Sequence, residues 1–169
     1  EGNVLNGNLS GSYPVATYRI SGNLTVGSED IAFLLPGTEF LFDGEYEFNI
    51  YGTLIAQGTE SDSIIFDNYG DSTNWKGFKL EEVSDETLFE YVRISGVVKN
   101  QNEKGGGMLL IYSDPTLNHV KISGNVGEDG TGIRFEYSDP TLTNVTISGN
   151  EGTFVGGISL LESKHFQTI

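Results

Sequence analysis

Short runs in which apolar and polar residues alternate are separated along the chain by glycine, asparagine and Ser-Asp-Pro. In the stretch from Gly107 the runs are Met108–Leu110, Leu117 and Val120–Ile122. In the next stretch they are Ile133–Phe135, Leu142 and Val145–Ile147. Period-two alternation in runs this short predicts strands, and no stretch sustains the 3.6-residue period of an amphipathic helix. The residues between runs are turn formers. The alternation predicts an inward set of Phe78, Leu80, Leu88, Val92 and Ile94, then Met108, Leu110, Leu117, Val120 and Ile122, then Ile133, Phe135, Leu142, Val145 and Ile147.

The runs recur. Tyr112–Asn125 lies over Tyr137–Asn150 at an offset of 25 residues without a gap, and Gly107, Gly132 and Gly157 keep the same step. A looser copy runs through Gly77–Leu80, Ser84–Leu88 and Val92–Gly96, stretched by five residues. One is assigned before Ser84, one between Leu88 and Val92, and three to the loop Val97–Gly106. A unit of ~25 residues with three strands and three corners is too short for a hairpin sheet with a return. It fits one coil of an all-β, right-handed, single-stranded parallel β-helix, in which each strand pairs with its equivalent one coil away at roughly 4.8 Å. Towards the N-terminus Leu24–Val26, Ile31–Leu35, Phe40–Phe42, Phe48–Ile50 and Ile64–Phe66 are further candidate strands, with Pro36-Gly37 a tight turn. The expectation is one solenoid domain over 1–169 of about six or seven coils. Its coils are irregular over 1–75 and regular over 76–163, and 164–169 form a tail or truncated coil. The last coil is expected to lack its second and third strands. Such an open end suits end-to-end self-association, or a place within a longer chain.

Composition narrows the partners. Twenty-four acidic against 9 basic residues give a net charge of −15, which argues against nucleic acid and anionic lipid. No apolar run approaches the roughly 20 residues that insert across a bilayer as a helix. The absence of cysteine removes disulfides, thiolate metal sites and a cysteine nucleophile. Residues 1–74 hold 11 acids and only Arg19, whereas residues 75–169 hold 13 acids and 8 bases.

Tyr13-Pro-Val15, Ile20–Val26, Leu35–Thr38, Tyr51–Thr59, Ser63–Phe66 and Trp75–Phe78, together with the two Ser-Asp-Pro-Thr-Leu…Ile-Ser-Gly-Asn repeats, resemble the right-handed parallel β-helix domains of secreted and cell-surface bacterial proteins, the pectin-lyase-like superfamily in the broad sense. The resemblance covers roughly Tyr13 to Ser163. It implies a secreted or cell-surface setting and a bacterial source. It admits a structural, adhesive or carbohydrate-binding module as well as polysaccharide lyases and glycoside hydrolases.

The outward lanes offer little catalytic chemistry. Lys79, Leu109, Arg134 and Ser159 form one, and Arg93, Lys121 and Thr146 another. Glu81, Ile111, Glu136 and Leu161 form a third that alternates acids with apolar residues. None gathers two carboxylates and a base, so no catalytic residue is assigned. Asp85, Asp114 and Asp139 form an acidic column, each preceded by Ser and followed two residues later by Thr. A calcium ladder is its functional reading. An Asx corner is preferred, because no calcium-roll signature accompanies it; calcium is thus the one cofactor considered. The stretch Asp62–Trp75 sets Asp62, Asp67 and Asp71 beside Tyr69 and Trp75, here taken as exposed. Aromatic rings stack on sugars and carboxylates accept from hydroxyls, so these five residues are the candidate carbohydrate-binding patch, with a solvated corner as the plainer alternative. His119 is read as a surface residue and His165 as part of the tail. Thr87, Thr116 and Thr141 align at a corner, too irregularly for an ice-binding face. The expected function is a non-catalytic module with a structural, adhesive or carbohydrate-binding role. A polysaccharide lyase or glycoside hydrolase is the alternative, and ice binding ranks lower.

Overall fold

The computed structural model describes residues 2–71 and 74–162 and the backbone of 167–168. The chain opens with β1 (Asn3–Asn8), β2 (Gly11–Tyr13), β3 (Thr17–Val26), β4 (Ile31–Leu34), β5 (Glu39–Phe42) and β6 (Phe48–Ile50). It continues through β7 (Thr53–Gln57), β8 (Ile64–Asn68), β9 (Phe78–Glu81), β10 (Leu88–Ile94), β11 (Met108–Ile111), β12 (Thr116–Ser123) and β13 (Val126–Asp129). Last come β14 (Ile133–Glu136), β15 (Thr141–Thr143), β16 (Thr146–Ser148), β17 (Glu151–Val155), β18 (Ile158–Leu161) and β19 (Gln167–Thr168).

The strand pairings are parallel and join positions one coil apart, so equivalent residues stack in columns around one core. The first wall carries Leu24, Phe48, Phe78, Met108, Ile133 and Ile158 in register. The second carries Ser12, Phe33, Ile55, Leu88, Thr116 and Thr141. The third carries Tyr18, Phe40, Phe66, Ile94, Ile122 and Ile147. The result is a parallel β-solenoid of about six turns, as the repeat predicts. β13 and β17 form a short ladder outside the three walls.

The core changes character along its axis. The earlier coils stack aromatic rings, with Phe40 and Phe66 at 5.5 Å between centroids and Phe48 and Phe78 at 5.2 Å. The later coils are mainly aliphatic, with Met108, Leu110, Leu117, Val120 and Ile122 buried. Each coil covers the apolar face of the next, so no coil buries its side chains alone.

Corners repeat as faithfully as walls. Glu82, Tyr112, Tyr137 and Glu162 adopt φ values of 51°, 47°, 54° and 51°, and Tyr91, His119 and Asn144 adopt 49°, 54° and 53°. A left-handed conformation costs a non-glycine residue roughly 1–2 kcal/mol, so the ladders on either side must hold these corners. At Gly106 the constraint is spatial, since a Cβ there would overlap the Thr131 carbonyl oxygen.

Buried polar ladders tie the corners together. The fully buried Asn125 accepts at Oδ1 from the Val97 amide at 3.0 Å, and its own amide donates to Asn150 Oδ1 at 3.0 Å. Asn150 Nδ2 donates in turn to the Ile122 carbonyl at 3.0 Å. The Ser113 hydroxyl accepts from the Val83 amide at 3.2 Å, and the Ser138 hydroxyl accepts from the Ser113 amide at 3.0 Å. The repeated Ser-Gly-Asn and Tyr-Ser-Asp-Pro letters are therefore corner chemistry.

Three expectations are corrected. Leu88 is half-buried and stands opposite Thr116, whereas Phe89 fills the core opposite Leu117. Of that coil's extra residues, the two outside the Val97–Gly106 loop accordingly both fall in the Ser84–Thr87 corner, with none between Leu88 and Val92. Leu88 mimics Leu117 in sequence, but the larger Phe89 ring takes the interior position. The final coil also continues past its first strand, because Gln167 and Thr168 pair with Thr141 and Leu142. Val145 and Ile147 are partly buried rather than sealed.

Asn125→Ala leaves the buried Val97 amide without its acceptor and should cost about 2–4 kcal/mol. Urea denaturation followed by circular dichroism would measure the loss.

Candidate functional site

β4 is apolar at every position, yet a strand in a solenoid wall buries only one face. Ala32 and Leu34 point into the core, which leaves Ile31, Phe33 and Leu35 outside at 44 %, 41 % and 43 % exposure. Isolated exposed apolar residues are ordinary, but a contiguous row of them marks an interaction surface. Phe33 stands opposite Ile55 on β7, and together they floor an open groove of about 490 Å³. Gln57, Glu60, Glu90 and Tyr91 line its polar side.

The groove's carboxylates differ. Gln57, Glu90 and Asn118 occupy one column, a coil apart from each other. Glu90 Oε2 accepts from Gln57 Nε2 at 2.8 Å, and Oε1 accepts from Asn118 Nδ2 at 2.8 Å. Both oxygens are thus oriented by amides, which suits a fixed acceptor. Glu60, in the turn before β8, makes no ion pair or hydrogen bond among the described residues. The groove adjoins a second depression of about 270 Å³ that shares Glu60 and Tyr91 and runs past His119 and Asn144. There the Tyr91 and His119 rings stack at 4.5 Å, and His119 Nε2 lies 3.0 Å from Asn144 Nδ2. An apolar floor beside a fixed carboxylate, amides and a tyrosine can hold the flat face of a ring and accept from its hydroxyls.

The predicted patch over Asp62–Trp75 is not one surface. Trp75 is fully buried, stacked on Phe42 at 4.2 Å, and its indole N–H donates to the Ser95 carbonyl at 2.7 Å. The expectation of an exposed Trp75 is corrected: the amides and acids before it suggest solvent, but the ring finishes the aromatic stack inside. Asp62 belongs to the Thr59–Asp62 turn and accepts from Ser61 at 2.6 Å, a length of β8 away from Asp67. Asp67 Oδ1 accepts from the Asn68 amide at 2.8 Å. Tyr69 is exposed beneath the Arg19 guanidinium, 4.8 Å from the ring centroid, and Asp71 is exposed in the loop that follows.

The acidic column is shorter than predicted. Asp114 Oδ1 accepts from the Asp139 backbone amide at 2.6 Å, a bond that ties this corner to the next coil. Asp85 falls out of that register because of the extra residues beside it. Among the described residues no three acidic or histidine side chains converge in a metal-binding geometry. Thr116 and Thr141 stack, but Thr87 is buried and Leu88 takes its place, which breaks the threonine column. His165 lies outside the described residues.

The outer lanes of the first wall are cross-linked by charge. Lys79 pairs with Glu81 at 2.7 Å, and Glu136 holds Arg134 at 2.7 Å and Lys104 at 3.0 Å. Lys99 reaches Glu47 at 3.0 Å, and Lys76 reaches Glu103 at 3.2 Å, so two largely buried lysines pin the loop after β10 to the coil. Burial alone pushes the Glu136 carboxyl up. The hydrogen bonds and charges of Arg134 and Lys104 outweigh it and hold the group below its ordinary value of 4.5.

No family model, curated protein or solved structure gives a significant match to the chain. The class that fold and site define is a parallel β-solenoid with an open apolar-and-acidic groove on its second wall.

Trp75→Ala should cost about 3–5 kcal/mol of stability, as large-to-small core changes do, and urea unfolding would register it as a lower midpoint. Glu136 contributes stability above its ordinary pKa, and that contribution is lost as pH falls through the depressed folded value. Glu136→Gln should therefore lower the melting temperature at pH 7, by an amount equivalent to about 1 kcal/mol. The difference from the parent should shrink as pH falls below 4.5, the ordinary value, and close once it passes the depressed folded value, where both side chains are neutral.

Proposed function

We propose that this chain is a non-catalytic, extracellular β-solenoid module that binds an extended carbohydrate along the groove of its second wall. The observation that carries this reading is the exposed pair Phe33 and Leu35 beside Ile55, set against Gln57, Glu60, Glu90 and Tyr91. Sugar rings have apolar faces and polar edges, and this floor and rim match both. The groove crosses successive coils at a spacing of ~4.8 Å, and Phe33 and Ile55 stand one above the other along the solenoid axis as its apolar floor. The extracellular setting and bacterial source rest on the resemblance of the repeats to surface β-helices, and the pectin-lyase-like superfamily is the family this reading favours.

A second reading is polysaccharide cleavage, favoured by the presence of both Glu60 and Glu90 in the groove. Against it stands Glu90, whose two oxygens are already engaged by amides. A general acid needs a proton and a free path to the leaving oxygen.

Titration calorimetry with a panel of neutral and acidic oligosaccharides should find a binder whose affinity drops at least ten-fold in Phe33→Ala. An unchanged affinity in that variant, or no binding across the panel, would contradict the groove. Release of new reducing or unsaturated ends from polysaccharides, abolished by Glu60→Gln, would establish the enzymatic reading instead.

A further inference from the structure

Arg93 and Lys121 stand directly opposite each other on adjacent coils of the third wall, and both are exposed. Every other base among the described residues is paired with a carboxylate: Arg19 with Asp43, Lys76 with Glu103, Lys79 with Glu81, Lys99 with Glu47, and Lys104 and Arg134 with Glu136. Arg93 and Lys121 alone among them make no ion pair or hydrogen bond, in a chain with 24 acids available. Like charges directly opposite on neighbouring strands are destabilising. Folding therefore gives no reason for this pair. The next position in the column is Thr146, which shows that a neutral residue fits the same wall.

Their placement supplies a reason. Arg93 and Lys121 line the smaller depression together with His119, Asn144, Ser63 and one carboxylate, Glu60, which the depression shares, like Tyr91, with the apolar groove. Their backbones are ~4.8 Å apart, so two long cationic side chains rise from one spot of the wall, outnumber the single Glu60 carboxylate beside them and form a cradle for one oxyanion held between them. We infer that Arg93 and Lys121 are an anion-binding station for a ligand bearing a carboxylate or sulfate ester. The net charge of −15 sets the class more narrowly. A densely charged phosphate backbone is repelled by the rest of the surface, whereas one oxyanion at a time feels the local pair, within a Debye length of about 8 Å at physiological salt. This inference goes beyond the carbohydrate reading and does not depend on it.

The test is an amide-resolved NMR titration of the whole chain with sodium sulfate and with sodium glucuronate, each against sodium chloride at matched ionic strength. Saturable shifts at Arg93 and Lys121 with sulfate indicate a sulfate-ester ligand, and with glucuronate a carboxylate ligand; either supports the station. The Arg93→Thr/Lys121→Thr variant should weaken the binding at least ten-fold while melting at the same or a higher temperature. Equal shifts with chloride, or an unchanged titration in the variant, would overturn the inference. A variant that melts well below the parent would also overturn it, by making the pair structural. Oxyanion binding without any oligosaccharide binding at Phe33 would sink the carbohydrate reading and leave the station standing.

Discussion

In-register pairing of each coil with the next governs everything else in this molecule. A parallel ladder fixes which residue lies above which, so a choice made at one position is repeated along a column. Where the column faces inward the repetition is apolar, as in Tyr18, Phe40, Phe66, Ile94, Ile122 and Ile147. At a buried corner it is a hydrogen-bonded side chain, as in Asn125 and Asn150. Left-handed backbone at Tyr91, His119 and Asn144 survives for the same reason, because the strands before and after each corner are already committed.

The outer surface inherits this order and becomes informative where it departs from it. A solvated lane needs only polar residues with satisfied charges, and the first wall supplies them through Lys79–Glu81 and Arg134–Glu136. The second wall departs by exposing Phe33 and its neighbours over a fixed carboxylate. The third departs by setting two cations face to face. The two departures adjoin at Tyr91, so one ligand that crosses this corner could use both.

Much of the fold was legible in the letters because columns repeat them. The 25-residue step aligned Met108 with Ile133 and Leu117 with Leu142, as the ladders do. Legibility failed where identity of letters and identity of environment part. Leu88 looked like Leu117, but Phe89 has the bulk the interior needs at that level. Trp75 follows a polar loop and looked solvated, yet Phe42 offers it a buried stacking partner from a distant part of the chain. The groove was missed because Ile31–Leu35 is apolar throughout, and an unbroken apolar run carries no alternation to say which residues face out. Phe33, Gln57 and the adjacent Glu90 and Tyr91 come from three successive coils, so only the three-dimensional register brings them together.

The chain has no cysteine, so an introduced pair reads the register directly. Thr116 and Thr141 are partners one coil apart on the second wall, at ~4.8 Å, which lies within the Cα separation a disulfide spans. Thr116 and Thr143 are offset by two residues, at about 8 Å, beyond that span. Mild oxidation should cross-link Thr116→Cys/Thr141→Cys rapidly and within one molecule, and leave Thr116→Cys/Thr143→Cys as free thiols. A free first pair, or equally fast cross-linking of the second, would contradict the winding on which the columns, the groove and the paired cations all rest.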